Sequence, residues 1–313
     1  MNIKKKVAVK EKEIKRLDRF LAERFFGFSR MFWKGEVLAG NVMVNGEKTK
    51  PNHQLRPGDM IEVNVKREDR ENELLPDKNV VFNIIFQNKD FVVIDKPAGI
   101  SVHPGEKEKN KTLVGGLLAK FPQIKNVGEN EKRPGIVHRL DKETSGLLVV
   151  ALNQKTFEFF KAAFKEHKVK KEYIALVWGE MKKEKGKIVG YIGRSKADPT
   201  RQSFSQEATK VINPKNSFTC YKVIKKERGK TLVKLSPKTG RMHQLRIHLH
   251  SVGHPVVGDK KYSTKKTKEE NKKYRRHMLH AEYLRFKDWN GAEHIFRSPL
   301  PDDIAEEVSE LLV

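Results

Sequence analysis

Cysteine is nearly missing: Cys220 stands alone among 313 residues. A single thiol excludes an intrachain disulfide and any multi-cysteine zinc site, and its surroundings, SFTCYKVI, read as strand with a small packed side chain. Long apolar runs are missing too. The longest, Gly146–Leu152, is far short of the roughly 20 residues a spanning helix needs, so no membrane role is expected. The opening MNIKKKVAVKEKEIKR is basic but has neither the apolar stretch nor the small-residue cleavage site of a secretory leader, so a cytoplasmic protein is expected. Neither GxGxxG nor GxxxxGK[ST] occurs, which leaves nucleotide-driven chemistry without support. His250 and His254 lie at a ligand-like spacing, but no HExxH is present and Gly253 should end the helix between them, so no metal is expected. Acidic residues are scarce relative to basic ones: 40 Asp and Glu against 65 Lys and Arg give a formal charge of +25. That excess favours a polyanionic partner, nucleic acid first.

Length allows about two domains. Residues 1–13 read as a basic tail. From 14 to 65 the pattern is a compact module: Leu17, Phe20, Leu21 and Phe25 recur at helical spacing, Ser29 is a candidate N-cap for a second helix ending near Gly40, and NVMVNG is a short strand running into an Asn45-Gly46 hairpin turn. Ile61, Val63 and Val65 alternate as a returning strand. Residues 66–78, KREDRENELLPDK, are charged and aperiodic, a linker. Beyond Asn79 strands dominate, at Phe91–Asp95, Gly146–Leu152, Tyr173–Trp178, Lys187–Ile192, Phe218–Ile224 and Leu232–Ser236. Helices are expected around Phe157, Phe160 and Phe164, over His243–Val252, and over Asp302–Leu312. Glu106–Arg133 and Asp259–Arg276 read as long polar loops. Strands with interspersed helices argue for an α+β fold.

Three segments carry the candidate chemistry. In HRLDKETSG a carboxylate, Asp141, interrupts a strand-like apolar run, where it serves either as an Asx cap on Thr144 or Ser145 or as a reactive group at a strand end. KTGRMHQLRIHL sets Lys238, Arg241, His243, Arg246 and His248 around a helix start, and a guanidinium from it could pair with Asp141 and keep it ionised. KKEYIALVWG puts Tyr173 on a strand, as a packed ring or as a group that stacks on a base.

Taken in order, DKPAGISVHPG (95–105), RPGIVHRLDKETSGLLVVALN (133–153), KKEYIALVWG (170–179), KTGRMHQLRIHL (238–249), GHPVVGD (253–259) and MLHAEYLRF (278–286) resemble the RluA family of RNA pseudouridine synthases. The resemblance runs from about Asn79 to the C-terminus. It implies a pseudouridine synthase fold, with a mixed, mainly antiparallel sheet flanked by helices and loops, and a catalytic domain over 79–313. It also implies that Asp141 is the catalytic aspartate, that Tyr173 contacts the target uracil, that Arg241 ion-pairs with Asp141, and that Arg139 helps fill the space left by a flipped nucleotide. Lys171 and Leu279 match cleft-lining positions, and His138 and Lys238 in the same strings are expected beside the substrate. Glu143 and Met242 depart from the usual aspartate and threonine. The reaction asks for no cofactor.

Residues 14–65 are similar to an alpha-L RNA-binding module through RLDRFLAE, SRMF, NVMVNG and RPGDMIEV, which implies that Arg16, Ser29, Arg30 and Lys34 lie on its RNA-facing surface. The expected substrate is structured RNA, large-subunit ribosomal RNA ahead of transfer RNA, and the chain is expected to work as a monomer. A non-catalytic RNA-binding or ribosome-assembly protein on the same fold, or a DNA-binding protein, would suit the charge, but neither explains the joint presence of Asp141, Tyr173 and Arg241.

Overall fold

A computed structural model describes residues 2–25, 28, 30–66, 74–105 and 111–309. The chain divides into two compact units, residues 1–75 with 125–134 and residues 76–124 with 135–313.

In the first unit, β1 (Asn2–Ala8) pairs antiparallel with β4 (Met60–Lys66), and β4 continues to β2 (Val42–Val44) and β3 (Glu47–Lys48). Within the expected 1–13 tail, residues 2–8 are therefore a strand of the sheet. Their lysine triplet masks an alternation in which Ile3 and Val9 are buried and Val7 partly so, while Lys6 lies opposite Glu62 and pairs with it at 2.7 Å. Helices α1 (Leu17–Arg24) and α2 (Arg30–Leu38) cover the sheet: Leu17, Phe20 and Leu21 of α1 and Trp33 and Val37 of α2 pack on Val42, Val44, Ile61, Val63 and Val65. The β2–β3 turn takes left-handed φ at Asn45 (55°) and Gly46 (82°), the geometry its sequence demands. Most of the expected linker, 67–73, and the Ser29 N-cap lie outside the described residues.

The second unit is built on one ten-stranded sheet. Its strands are β5 (Asn83–Gln87), β6 (Phe91–Lys96), β7 (Ser145–Ala151), β8 (Lys170–Trp178), β9 (Lys185–Ser195), β10 (Gln202–Ser205), β11 (Val211–Glu227), β12 (Lys230–Pro237), β13 (Leu279–Lys287) and β14 (Glu293–Arg297). They run in the order β10-β9-β11-β12-β8-β13-β7-β6-β5, with β14 on β13. Only the β13–β7 pair is parallel among the described strands, so the mixed, mainly antiparallel α+β expectation holds. Every residue of β7 is buried, which explains why its sequence is a continuous apolar run rather than an alternating one. Helices α3 (Leu113–Lys120), α4 (Gln154–Lys165), α5 (Gln244–Ser251) and α6 (Asp302–Ser309) complete the unit.

The expected loop 106–133 contains α3. The Gly115-Gly116 pair disguised this helix; Gly116 is there for close approach, since a Cβ on it would lie 2.9 Å from Val80 side-chain atoms. Residues 259–276 do remain irregular apart from a short 3-10 turn at Glu270–Lys273, and are pinned by the buried Asp259, Asn271 and Arg276.

Candidate active site

Asp141 sits in the turn that feeds β7. The turn is closed by backbone, with Thr144 N donating to Asp141 O at 3.1 Å, so the carboxylate is not used as an Asx cap. Two buried cations fix the backbone just beyond it. Lys96, fully buried at the end of β6, donates to the carbonyls of Pro97, Ile100 and Lys142 at 2.7, 3.0 and 3.0 Å. Burial draws its amine down to about 7, yet three carbonyl acceptors match the three hydrogens of the ammonium form, which the site therefore holds. Arg276 donates to Glu143 O at 3.1 Å.

The side chain of Asp141 is gripped from α5. Arg246 directs Nη1 to Asp141 Oδ2 at 3.0 Å and meets Asp259 with a two-pronged contact, Nε to Oδ2 at 2.7 Å and Nη2 to Oδ1 at 2.8 Å. Asp259 also accepts from the backbone N–H groups of Lys261 and Tyr262, each at 2.9 Å. Burial by itself would raise Asp141; the fields of His243 and His277, protonated only in the acid range where the carboxyl titrates, and the charge and hydrogen bond of Arg246 outweigh it, leaving the carboxyl below its ordinary value. Burial also draws His243 down to about 4 and His277 to about 3. At neutral pH both imidazoles are therefore uncharged, and Arg246 supplies the compensating charge. Tyr173, buried on β8, is pushed above the usual phenol range by burial and then by the Asp141 charge.

In the first unit, Arg16 at the start of α1 and Arg30 on α2 both bind the buried Asp18, with Nη2 and Nε each 3.0 Å from Oδ2. Lys34, on α2 one turn beyond Arg30, is exposed.

Residues 90–251 match the RNA pseudouridylate synthase family, and residues 15–61 match the S4 domain. A Bacillus subtilis (strain 168) protein described as the uncharacterized RNA pseudouridine synthase YlyB is 36% identical, over 97% of this chain and 96% of its own. The chain belongs to the RNA pseudouridylate synthase family. A Vibrio cholerae ribosomal large subunit pseudouridine synthase D is 35% identical, over 95% of this chain and 92% of its own. Among solved structures, Human RNA Pseudouridylate Synthase Domain Containing 1 aligns with a TM-score of 0.59 at 28% identity, over 76% of this chain and 97% of that one.

For this synthase the structure corrects one expected partnership. The guanidinium on Asp141 is that of Arg246, not Arg241. Arg241 precedes the helix, and its Nε donates to Asn216 O at 2.9 Å. Gln244 fixes the phase: its Oε1 accepts from Arg241 N and Thr239 Oγ1 at 3.0 and 2.7 Å, so α5 starts there and carries Arg246 inward. His138 has partners within the protein. Its ring stacks on Phe164 with centroids 4.6 Å apart and accepts Val149 N–H at Nε2, which holds the turn against β7, and burial lowers it to about 3.

Lys171 on β8 has no hydrogen-bond or ion-pair partner among the described residues; its amine lies 5.4 Å from the Phe164 ring centroid, and burial draws it down to about 8. Arg139 is exposed, with Nη1 at 3.2 Å from His103 Nε2. Lys238 is exposed just past β12, and Leu279 is buried on β13. Sequence reasoning assigned no role to Lys96, His103, Asp259 or Tyr262. The first three stand inside strings quoted for the resemblance, and Tyr262 follows GHPVVGD closely. Each has at least one partner 13 or more residues away, Lys142, Arg139, Arg246 and His243 respectively, which no local pattern reveals. No helix among the described residues is long and apolar enough to cross a membrane, and no group of three or more His, Cys, Asp or Glu among them could hold a metal ion.

Proposed function

We propose that this pseudouridine synthase isomerises uridines of large-subunit ribosomal RNA, that it acts on a nucleotide flipped out of the helix, and that Asp141 is the catalytic carboxylate. One observation carries the assignment of Asp141. Its Oδ2 is held by Arg246 while Oδ1 has no partner among the described residues, so an ionised carboxylate keeps one oxygen for a substrate. The ribosomal substrate is supported by the printed function of the Vibrio cholerae relative, by the S4 domain and by the charge of +25.

Isomerisation breaks the bond between C1′ of the ribose and N1 of uracil, and the base departs with the electron pair. Asp141 stabilises the positive charge left on the sugar, as carboxylates do in glycoside chemistry. The uracil turns, C5 bonds to C1′, the C5 proton leaves and N1 takes up a proton, so the atoms balance without a redox partner. A uridine inside a helix cannot reach Asp141; extruding it costs a few kcal/mol of unstacking, offset by phosphate contacts of the basic surface. Lys171, whose amine has no ion-pair partner among the described residues, suits a phosphate of the extruded nucleotide. Arg139 suits the gap left in the helix. Tyr173 packs against the flipped base.

The test is to incubate purified protein with transcripts of large-subunit ribosomal RNA and of transfer RNAs, and to map pseudouridine by carbodiimide-dependent reverse-transcription stops. New stops are expected in the ribosomal transcript. Stops confined to transfer RNA would overturn the substrate assignment, and no stops in either would overturn the reading.

A further inference from the structure

The residue before α5, His243, has a backbone conformation that side-chain-bearing residues rarely adopt, with φ 56° and ψ 20°. Such outliers are strained and persist where the surroundings over-determine them. Here the surroundings grip the ring. The Tyr262 hydroxyl lies 2.8 Å from His243 Nδ1. Tyr262 is buried, and its backbone N–H is bound by Asp259, the carboxylate that also grips Arg246. The imidazole is uncharged, and in the tautomer in which the hydroxyl donates to Nδ1 the proton of the ring sits on Nε2. That Nε2–H has no partner among the described residues and is not one of the buried polar atoms left unpaired, so it faces accessible space. It does so close enough to Asp141 for a charge on either group to shift the other.

We infer that His243 is a further catalytic residue, whose Nε2–H, fixed by Tyr262, donates a hydrogen bond to a carbonyl oxygen of the uracil while the base is detached from the sugar. The inference rests on the reading of Asp141 given above. A detached uracil carries the electron pair of the broken bond, and its negative charge resides largely on its carbonyl oxygens. A neutral donor held ready beside the carboxylate stabilises that charge without competing for Asp141 as a second cation would. Preorganised donors of this kind act on the rate rather than on ground-state binding. Tyr262 is a positioning residue in this arrangement, because it selects the tautomer and touches no substrate.

Two substitutions at one position separate this role from a structural one. Asparagine tolerates the left-handed backbone well but cannot reach as far as Nε2; glutamine tolerates it less well but extends an N–H toward where Nε2–H stands. Single-turnover rates with saturating RNA, RNA affinity and thermal melts are measured for full-length His243→Asn, His243→Gln, Tyr262→Phe and Asp141→Asn. The expected losses of rate are about a hundredfold for His243→Asn, about threefold for His243→Gln and about tenfold for Tyr262→Phe, each with little change in RNA affinity. Equal rates in the two His243 variants, or a faster His243→Asn, would overturn the inference, since a structural role favours asparagine. Asp141→Asn is the control for the underlying reading: if it retains activity that reading fails, whereas an inactive Asp141→Asn beside wild-type His243 variants removes His243 alone.

Discussion

The two units carry inverse charge clusters. In the S4 unit one carboxylate is shared by two arginines: Asp18, with a side chain 3% exposed, lies beneath Arg16 and Arg30, which are 47% and 54% exposed. In the catalytic unit one arginine is shared by two carboxylates: Arg246, 9% exposed, lies between Asp259, fully buried, and Asp141, 19% exposed. The first cluster leaves one positive charge in excess, and its arginines face solvent. The second leaves one negative charge in excess, and the more open carboxylate is the one at the strand end. A surface that grips phosphate needs the former. A site that meets positive charge on a sugar needs the latter. Both place the fixed partner inside and the more open partner outside, so the buried residue sets the position of the exposed one.

The comparison is broken most severely at Arg246. Arg246→Met leaves Asp259 buried without its counterion and is expected to lower stability by about 3–5 kcal/mol, read by urea unfolding, with isomerisation lost. Adding Asp259→Leu should recover much of the stability and none of the activity. Recovery of activity would mean that Arg246 does nothing for Asp141.

Acid should distinguish the clusters next. Burial by itself raises Asp259, but its bonds to Arg246 and the backbone bring it down to about 2, from 3.8 unperturbed. A carboxyl lowered in the folded state stabilises fully above its unfolded value and loses that contribution as pH falls through the folded one. Between about pH 4 and pH 2 the catalytic unit should therefore lose on the order of 2 kcal/mol. Asp18 is also lowered, with burial opposing its two arginines, but those partners are well exposed and their pairing is worth no more than about 1 kcal/mol. Unfolding curves of wild type and Asp259→Asn over that range check this: the slope with pH should flatten in the variant.

Smaller effects belong to the arginines of the first cluster. Arg16→Met and Arg30→Met should each reduce the slope of log affinity against log salt by about 1, while single-turnover rates at saturating RNA hold. The smallest is Arg241→Met, which removes a guanidinium bonded to Asn216 O and should change the single-turnover rate by no more than about twofold. A loss as large as that of Arg246→Met would return Arg241 to the site.

Much of this was legible from sequence because the informative features are local. The period-2 alternation of Ile61, Val63 and Val65, the Asn45-Gly46 turn and the unbroken apolar run of β7 each follow from one stretch of chain. Asp141 stands out as a charged group interrupting an apolar run, whereas the role of Tyr173 comes from the resemblance. The residues alone leave open which guanidinium meets Asp141, and the resemblance implies Arg241; that Arg246 does so depends on helical phase, set by the Gln244 contacts and the left-handed backbone at His243, neither of which has a strong sequence signal. Strand β1 is hidden by consecutive lysines on an otherwise alternating strand, and α3 by two glycines, of which Gly116 packs closely on Val80. The Asp259–Tyr262–His243 chain joins a loop, a turn and a helix start, and only the folded chain brings these together.

The central claim is that the free oxygen of Asp141 does the chemistry. Asp141→Asn keeps the shape and removes the charge, so the decisive measurement is tritium release from RNA carrying uridine labelled at C5, made alongside a binding titration and a thermal melt. The account predicts a folded protein with RNA affinity close to wild type and no release above background. A folded, RNA-binding Asp141→Asn protein that releases tritium at near the wild-type rate would contradict it.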